Sequence, residues 1–240
     1  MSEARMPAQL PAEMRWVEPF GIVSLLLLAA TQALAILQSP ADAAMGHLQK
    51  IMYIHVPTAW VGMLAFFAVF VLSIMYLATK RVRYDLLAAA TTEVGIVMTA
   101  LTLALGAIWG RPTWGVWWTW EPRLTSTAIM LLIYVGYLVL RGFAEDEERR
   151  ARWSAAVGII AFLNVPIVFW SVKWWRSLHQ PQSTRESMSG TYWNWLWINA
   201  VVMMLVGIYF IALRYRAARI ERAAELKLEN AALGRSEVHA

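Results

Sequence analysis

Long apolar runs broken by short polar connections give the chain its pattern. A helix needs about 20 mostly apolar residues to cross the hydrocarbon core of a bilayer. Six stretches meet that length: 20–37, 57–78, 86–109, 124–140, 153–172 and 195–213. The second opens on Pro57, which suits a first helical position because its missing N–H is not needed there. The first lies too deep in the chain, and is too poorly supplied with a small-residue cleavage site, to read as a signal peptide, and is taken as a retained span. The pattern therefore predicts an all-α, polytopic membrane protein, a bundle of six transmembrane helices. Residues 1–213 form its membrane domain and 214–240 a helical tail, with Arg222 and Glu225 at i,i+3 spacing.

Composition narrows the functions open to such a bundle. Hydrophobic residues make up 59% of the 240, and charged residues 15%, well below the usual quarter. Cysteine is absent, which excludes disulfides, thiolate metal sites and covalent C-x-x-C-H haem attachment. No Gly-Lys dipeptide occurs, so the chain carries no Walker A loop. The net charge of +5 is unevenly spread. With the N-terminus inside, fifteen of the 21 basic residues fall on the cytoplasmic side, from Arg5 and Arg15 through Lys80, Arg81, Arg83, Arg141 and Arg149 to Arg214 and Arg235. Six remain outside: Lys50, Arg111, Arg123, Lys173, Arg176 and Arg185. That bias predicts both termini in the cytoplasm, and it makes the positive charge a matter of topology rather than nucleic-acid binding.

Three connections then face outward: 38–56, 110–123 and 173–194. Twelve of the fourteen tryptophans lie in or beside them, and only Trp16 and Trp153 sit at the inner boundary. An aromatic belt would populate both interfaces. The densest part, Trp114-Gly115-Val116-Trp117-Trp118-Thr119-Trp120, instead puts four indoles into seven residues. Such a segment is either part of a belt or a flat, apolar platform with N–H donors at its edge, suited to a large planar ligand.

The histidines sort by position. His239 and His47 lie in polar surroundings and read as solvated. His55, between Ile54 and Val56 at the mouth of the second span, and His179, after Trp174-Trp175-Arg176-Ser177-Leu178, are ionisable groups at the membrane edge. Each alone suits a structural histidine; as a pair beside the tryptophans they are candidate axial ligands for haem iron. Arg111 and Arg123 bracket the tryptophan segment and are candidates for a carboxylate such as a haem propionate, with Lys50 and Arg176 as weaker ones that suit lipid headgroups equally well. Glu121 could pair with Arg123 or hold backbone N–H groups. Glu93, in the third span, suits snorkelling or an interhelical hydrogen bond.

The segment from Trp114 through Glu121-Pro122-Arg123-Leu124-Thr125 to Ser126 resembles the tryptophan-rich WWD signature of membrane haem-handling proteins. Met52-Tyr53-Ile54-His55-Val56-Pro57-Thr58-Ala59-Trp60 and Trp174 to Gln180 resemble the two histidine segments of the cytochrome c maturation C (CcmC) family, and Asn164-Val165-Pro166 is also similar. The resemblance covers about residues 50–213. It implies haem b held transiently and non-covalently at the outer face of a bacterial inner membrane. His55 and His179 would ligate the iron, and Trp114, Gly115, Trp117, Trp118, Trp120, Glu121 and Arg123 would form the platform. It implies delivery to the periplasmic haem chaperone CcmE, in a complex with the ABC transporter CcmA/CcmB and the small subunit CcmD. The expected role is a carrier, not an enzyme. The signature usually ends in Asp where this chain has Glu121.

Two other classes remain open from the residues. A bis-histidine cytochrome serving quinone usually buries its histidines within adjacent helices, whereas these two lie at span ends. A haem permease would need a polar path, and Glu93 and Asn164 are the main polar residues inside the spans.

Overall fold

The computed structural model describes residues 14–144, 146–180 and 183–232. Arg5, Arg235 and His239 lie outside the described residues. All regular elements among the described residues are helices: α1 (Val17–Gln38), a 3₁₀ turn (His47–Ile51), α2 (Met52–Thr79), α3 (Val82–Trp114), α4 (Pro122–Phe143), α5 (Glu147–Ala161), α6 (Asn164–Trp174) and α7 (Gly190–Ala232). With α5 and α6 stacked as one crossing, six segments are long and apolar enough to span a membrane. The all-α, multi-pass bundle is thus the architecture observed.

Between apolar helices in lipid, close backbone approach replaces the hydrophobic effect as the source of association. α2 packs most extensively on α3, and the reason is visible in two glycines. A Cβ on Gly62 would come 2.9 Å from the Thr99 hydroxyl, and one on Gly95 2.6 Å from the Phe66 ring. Phe66 in turn stacks face to face on Tyr134 of α4, centroids 3.6 Å apart. Around that pair Val69, Met130, Tyr137, Val165 and Val168 form the largest buried cluster. α1 leans mainly on α7, leaving Leu26 and Leu37 exposed where acyl chains would cover them.

Three boundaries differ from those the hydrophobic pattern predicts, each for a backbone reason. α2 starts at Met52, so Pro57 sits inside the helix rather than opening it. The Tyr53 carbonyl, deprived of its i+4 N–H by that proline, accepts instead from the Gln32 side chain of α1 at 2.9 Å. α3 runs past Trp109 to Trp114 and stops where Gly115 takes φ +79, a left-handed conformation glycine adopts without strain. The fifth span breaks at Phe162–Leu163, because Pro166 has no N–H for the Phe162 carbonyl. Asn164 ties the break to α4 by donating to Ser126 O at 2.9 Å.

At the end where α3 begins and α7 leaves its apolar stretch, four ion pairs join one helix to another. Arg141 grips buried Asp85 through two hydrogen bonds of 2.5 and 2.9 Å. Arg216 meets Glu18 at 2.5 Å, Arg214 meets Glu93 at 2.5 Å, and Arg222 reaches Glu147 of α5 at 2.7 Å. Glu93 thus has an interhelical partner. Arg222 is engaged across helices, and α7 continues unbroken beyond Leu213 to Ala232.

Candidate functional site

At the opposite end of the bundle α1, α3 and α6 finish and α2, α4 and α7 begin. Lys50 Nζ donates to Ile36 O at 2.6 Å, closing the end of α1, and Tyr192 OH donates to Pro40 O at 3.3 Å. The three connections that carry the tryptophans therefore share one end of the molecule.

His55 lies in the first turn of α2, not on the connection before it, because the helix forms through Pro57. Thr58 donates to His55 O at 2.8 Å and accepts from Thr102 of α3 at 3.1 Å, which fixes the turn against α3. A Cβ on Gly106 would stand 3.1 Å from His55 Cε1, so a larger residue there would oblige the ring to give by a few tenths of an ångström. Trp109 meets the imidazole edge-on, with centroids 5.8 Å apart. The residue is buried, and its Nδ1 has no hydrogen-bond partner among the described residues.

His179 comes from the connection between α6 and α7, 124 positions further along, and lands against the same helix. Its ring sits edge-on to Trp114, centroids 5.2 Å apart. Trp114 lies over Gly110, where a Cβ would be 3.1 Å from the indole. Two glycines one turn apart on α3 thus seat the two aromatic neighbourhoods. His55 is within electrostatic reach of both His179 and Arg123.

Glu121 joins the loop to α4. It occupies the N-cap, where Oε1 accepts from Leu124 N–H at 2.6 Å, one of the free N–H groups of a helix start. Oε2 accepts from the Ser177 hydroxyl, and Ser177 Oγ accepts from the His179 backbone N–H at 3.0 Å. His179 Nδ1 lies 3.3 Å from Oε1. Burial alone would raise the Glu121 pKa; the adjoining His179, Ser177 and Leu124 N–H outweigh it and hold the carboxyl down at about 2. Of the two roles the residue types leave open, backbone capping is the one observed. Arg123 turns away and donates weakly to Phe169 O at 3.4 Å.

Four more buried polar atoms in the segment 109–125 lack a hydrogen-bond partner among the described residues: Trp109 Nε1, Trp118 Nε1, Thr119 Oγ1 and Thr125 Oγ1. Trp118 packs edge-on to Trp120, while Trp117 and Trp120 expose 59% and 82% of their surface. Residues 4–231 match the family model described as Heme exporter protein C. The chain belongs to the Heme exporter protein C (CcmC) family.

Relatives span bacteria and mitochondria. Heme exporter protein C of Bradyrhizobium diazoefficiens is 34% identical over 208 residues, 86% of this chain and 77% of its own. A Marchantia polymorpha protein whose name places it in cytochrome c biosynthesis, ccmC-like and mitochondrial, is 36% identical over 182 residues, 74% of this chain and 77% of its own. Heme exporter protein C of Escherichia coli (strain K12) is 36% identical over 151 residues, 63% and 61% of the two chains.

Among the cations of this CcmC-family chain, Arg111 is exposed and donates to Gly115 O at 2.8 Å, so it caps α3. Lys50 is committed to Ile36; it also lines an open cavity of about 540 Å³ with Gln32, His47 and Ile54. Arg176 is exposed. Sequence reasoning missed Gly106, Gly110, Ser177 and Gln32. The i,i+4 spacing of the two glycines beside Trp109 and Trp114 was a readable signal; nothing local marks Gln32.

Proposed function

We propose that this protein holds haem b transiently and non-covalently at its tryptophan-rich end, and hands it on during c-type cytochrome biogenesis. The observation that carries the reading is convergence. Two histidines 124 positions apart are brought against neighbouring tryptophans of one helix end, and His55 Nδ1, Trp109 Nε1 and Trp118 Nε1 are buried there without a hydrogen-bond partner among the described residues. Buried polar atoms are nearly always partnered, so such a cluster suits a ligand that supplies what the protein does not. Family membership and the relatives' printed names support haem as that ligand.

Magnitudes divide the labour. Covering about 100 Å² on each of two indoles at ~25 cal/mol/Å² contributes roughly 5 kcal/mol, a millimolar-class hold. The platform of Trp114, Gly115, Trp117, Trp118 and Trp120 therefore orients the porphyrin without trapping it. His55 and His179 add iron ligation, which supplies the remaining affinity and limits oxygen chemistry at the metal. Arg123, half-buried, within electrostatic reach of His55 and held only by a weak contact to Phe169 O, is the better placed propionate partner; Arg111, Lys50 and Arg176 can contribute only by leaving their present contacts or from the surface.

The same reading places the platform at the outer face of a bacterial inner membrane, supported by the fifteen-to-six distribution of basic residues, with both termini cytoplasmic. Residues 1–213 do the haem work and 214–240 form the tail. The acceptor is the periplasmic chaperone CcmE, and CcmA/CcmB with CcmD supply the ATP-driven step that this chain, without a nucleotide motif, does not perform. The chain acts as a carrier and not as an enzyme. His179 stays on a connection rather than a helix, which favours a ligand that can be released over a fixed electron-transfer haem.

The test is spectroscopic. Purified haem-loaded His55→Ala and His179→Ala should each lose the bis-imidazole optical spectrum, and the triple change at Trp117, Trp118 and Trp120 should impair chaperone loading more than folding. Unaltered spectra and undiminished loading in both histidine variants would dismiss the ligand roles. A reporter fusion finding 115–121 in the cytosol would dismiss the orientation.

A further inference from the structure

We propose that Glu121 is a positioning residue for His179: anchored on Leu124 N–H and Ser177, it holds the imidazole by its Nδ1 edge and leaves Nε2 as the nitrogen offered to iron. The inference rests on the haem-holding reading above and assigns a role that capping α4 does not require. A helix N-cap needs one acceptor oxygen. Here both carboxylate oxygens are engaged, and the extra contacts all lead to His179. Oε2 takes the Ser177 hydroxyl, whose oxygen receives the His179 backbone N–H, and Oε1 lies 3.3 Å from His179 Nδ1. The carboxylate, the serine and the histidine form a closed ring of contacts that fixes the backbone and the side chain of His179 together.

Two further features make the arrangement specific. The negative charge sits at the N-terminus of α4, where free N–H groups and the helix dipole favour an anion, so its placement does not depend on a paired cation alone. Trp114 bounds the ring on another side, limiting rotation that would turn Nδ1 toward the ligand. His179 Nδ1 stands at ion-pair distance from the carboxylate without a formed hydrogen bond; once a metal is held, an imidazole whose other nitrogen donates to a carboxylate is fixed in tautomer and made a stronger base. His55 serves as the internal comparison: neither Nδ1 makes a hydrogen bond, but only that of His179 faces a carboxylate at ion-pair distance among the described residues.

The experiment uses the full chain loaded with haem. Glu121→Gln keeps an acceptor oxygen for Leu124 and a polar partner for Ser177 but removes the charge. Expected are an upward shift in the haem midpoint potential, since a less electron-rich ligand favours ferric iron less, and haem loss to apomyoglobin accelerated about 10–100-fold. Glu121→Asp, which keeps the charge one methylene away, should fall between the two. Wild-type potential and loss rate in Glu121→Gln, alongside lost ligation in His179→Ala, would overturn this inference alone. An unchanged spectrum in His179→Ala would instead overturn the ligand reading beneath it. If thermal unfolding shows that Glu121→Gln does not fold, Ser177→Ala decides: faster haem loss supports the clasp, and an unchanged rate and potential overturn it.

Discussion

The two ends of the bundle spend their polar groups in opposite ways. At the basic end, four carboxylates meet four arginines across helices, Asp85 with Arg141, Glu18 with Arg216, Glu93 with Arg214 and Glu147 with Arg222. At the tryptophan-rich end His55, Trp109, Trp118, Thr119 and Thr125 bury polar atoms without hydrogen-bond partners among the described residues, where the basic half leaves Ser73, Arg150 and Ser154 so. Among the described residues the carboxylate in ion-pair contact there is Glu121, which caps α4 through Leu124 N–H and also lies 3.3 Å from His179 Nδ1. A closed network of pairs stabilises one arrangement, whereas unmet donors and acceptors cost stability unless something arrives to meet them. On the proposed reading, the contrast separates the end that holds the bundle together from the end that binds haem.

The largest effect should come from attacking the paired end. Asp85→Ala leaves Arg141 buried without its carboxylate, and truncating one partner of a buried pair costs about 3–5 kcal/mol. Thermal unfolding in detergent should show that loss, while the fraction still folded keeps its haem spectrum. A stability drop confined to His55→Ala and absent from Asp85→Ala would invert the comparison.

Acid should open the working end next. Glu121 ionises near 2 when folded against its usual 4.5, so its contribution is present in full above about pH 4.5 and is lost as pH falls toward 2. That contribution is at most about 3 kcal/mol, and Trp fluorescence across the titration should change over this window. Glu121→Gln should show no such change there.

A steric intrusion of one methyl tests the seat of His55. Gly106→Ala puts a Cβ 3.1 Å from Cε1, which obliges the ring to shift by a few tenths of an ångström at a cost of about 1–3 kcal/mol. Haem affinity measured by titration should weaken, with the basic end undisturbed; wild-type affinity would show that His55 has room to spare. The smallest effect belongs to Arg222→Ala. Its pair with Glu147 is substantially exposed, and such pairs contribute about 0.2–1 kcal/mol, so an unfolding shift beyond that would mean the tail contact matters more than its exposure allows.

Much of this division was legible in one dimension. Six apolar runs, the crowding of twelve tryptophans onto three connections and the opposite bias of arginine need only counting along the chain, because bilayer thickness converts run length directly into crossings. The haem motif segments were recognisable for the same reason, being contiguous. His55 was placed beyond the helix because Pro57 is a good first residue; the structure carries the helix through it by borrowing Gln32 from α1. Glu121 offered two roles from its neighbours in sequence, and the one it plays toward His179 depends on a residue 58 positions away.

The sequence by itself determined that the chain crosses a membrane six times and gathers its indoles and two of its histidines at alternate turns. Length, hydropathy and charge bias act locally and do not depend on which helix touches which. Tertiary structure alone decided which carboxylate faces which ring and which glycine leaves room for it. Those outcomes require helices far apart in the chain to approach within van der Waals contact, and packing, unlike hydropathy, is not additive along a sequence.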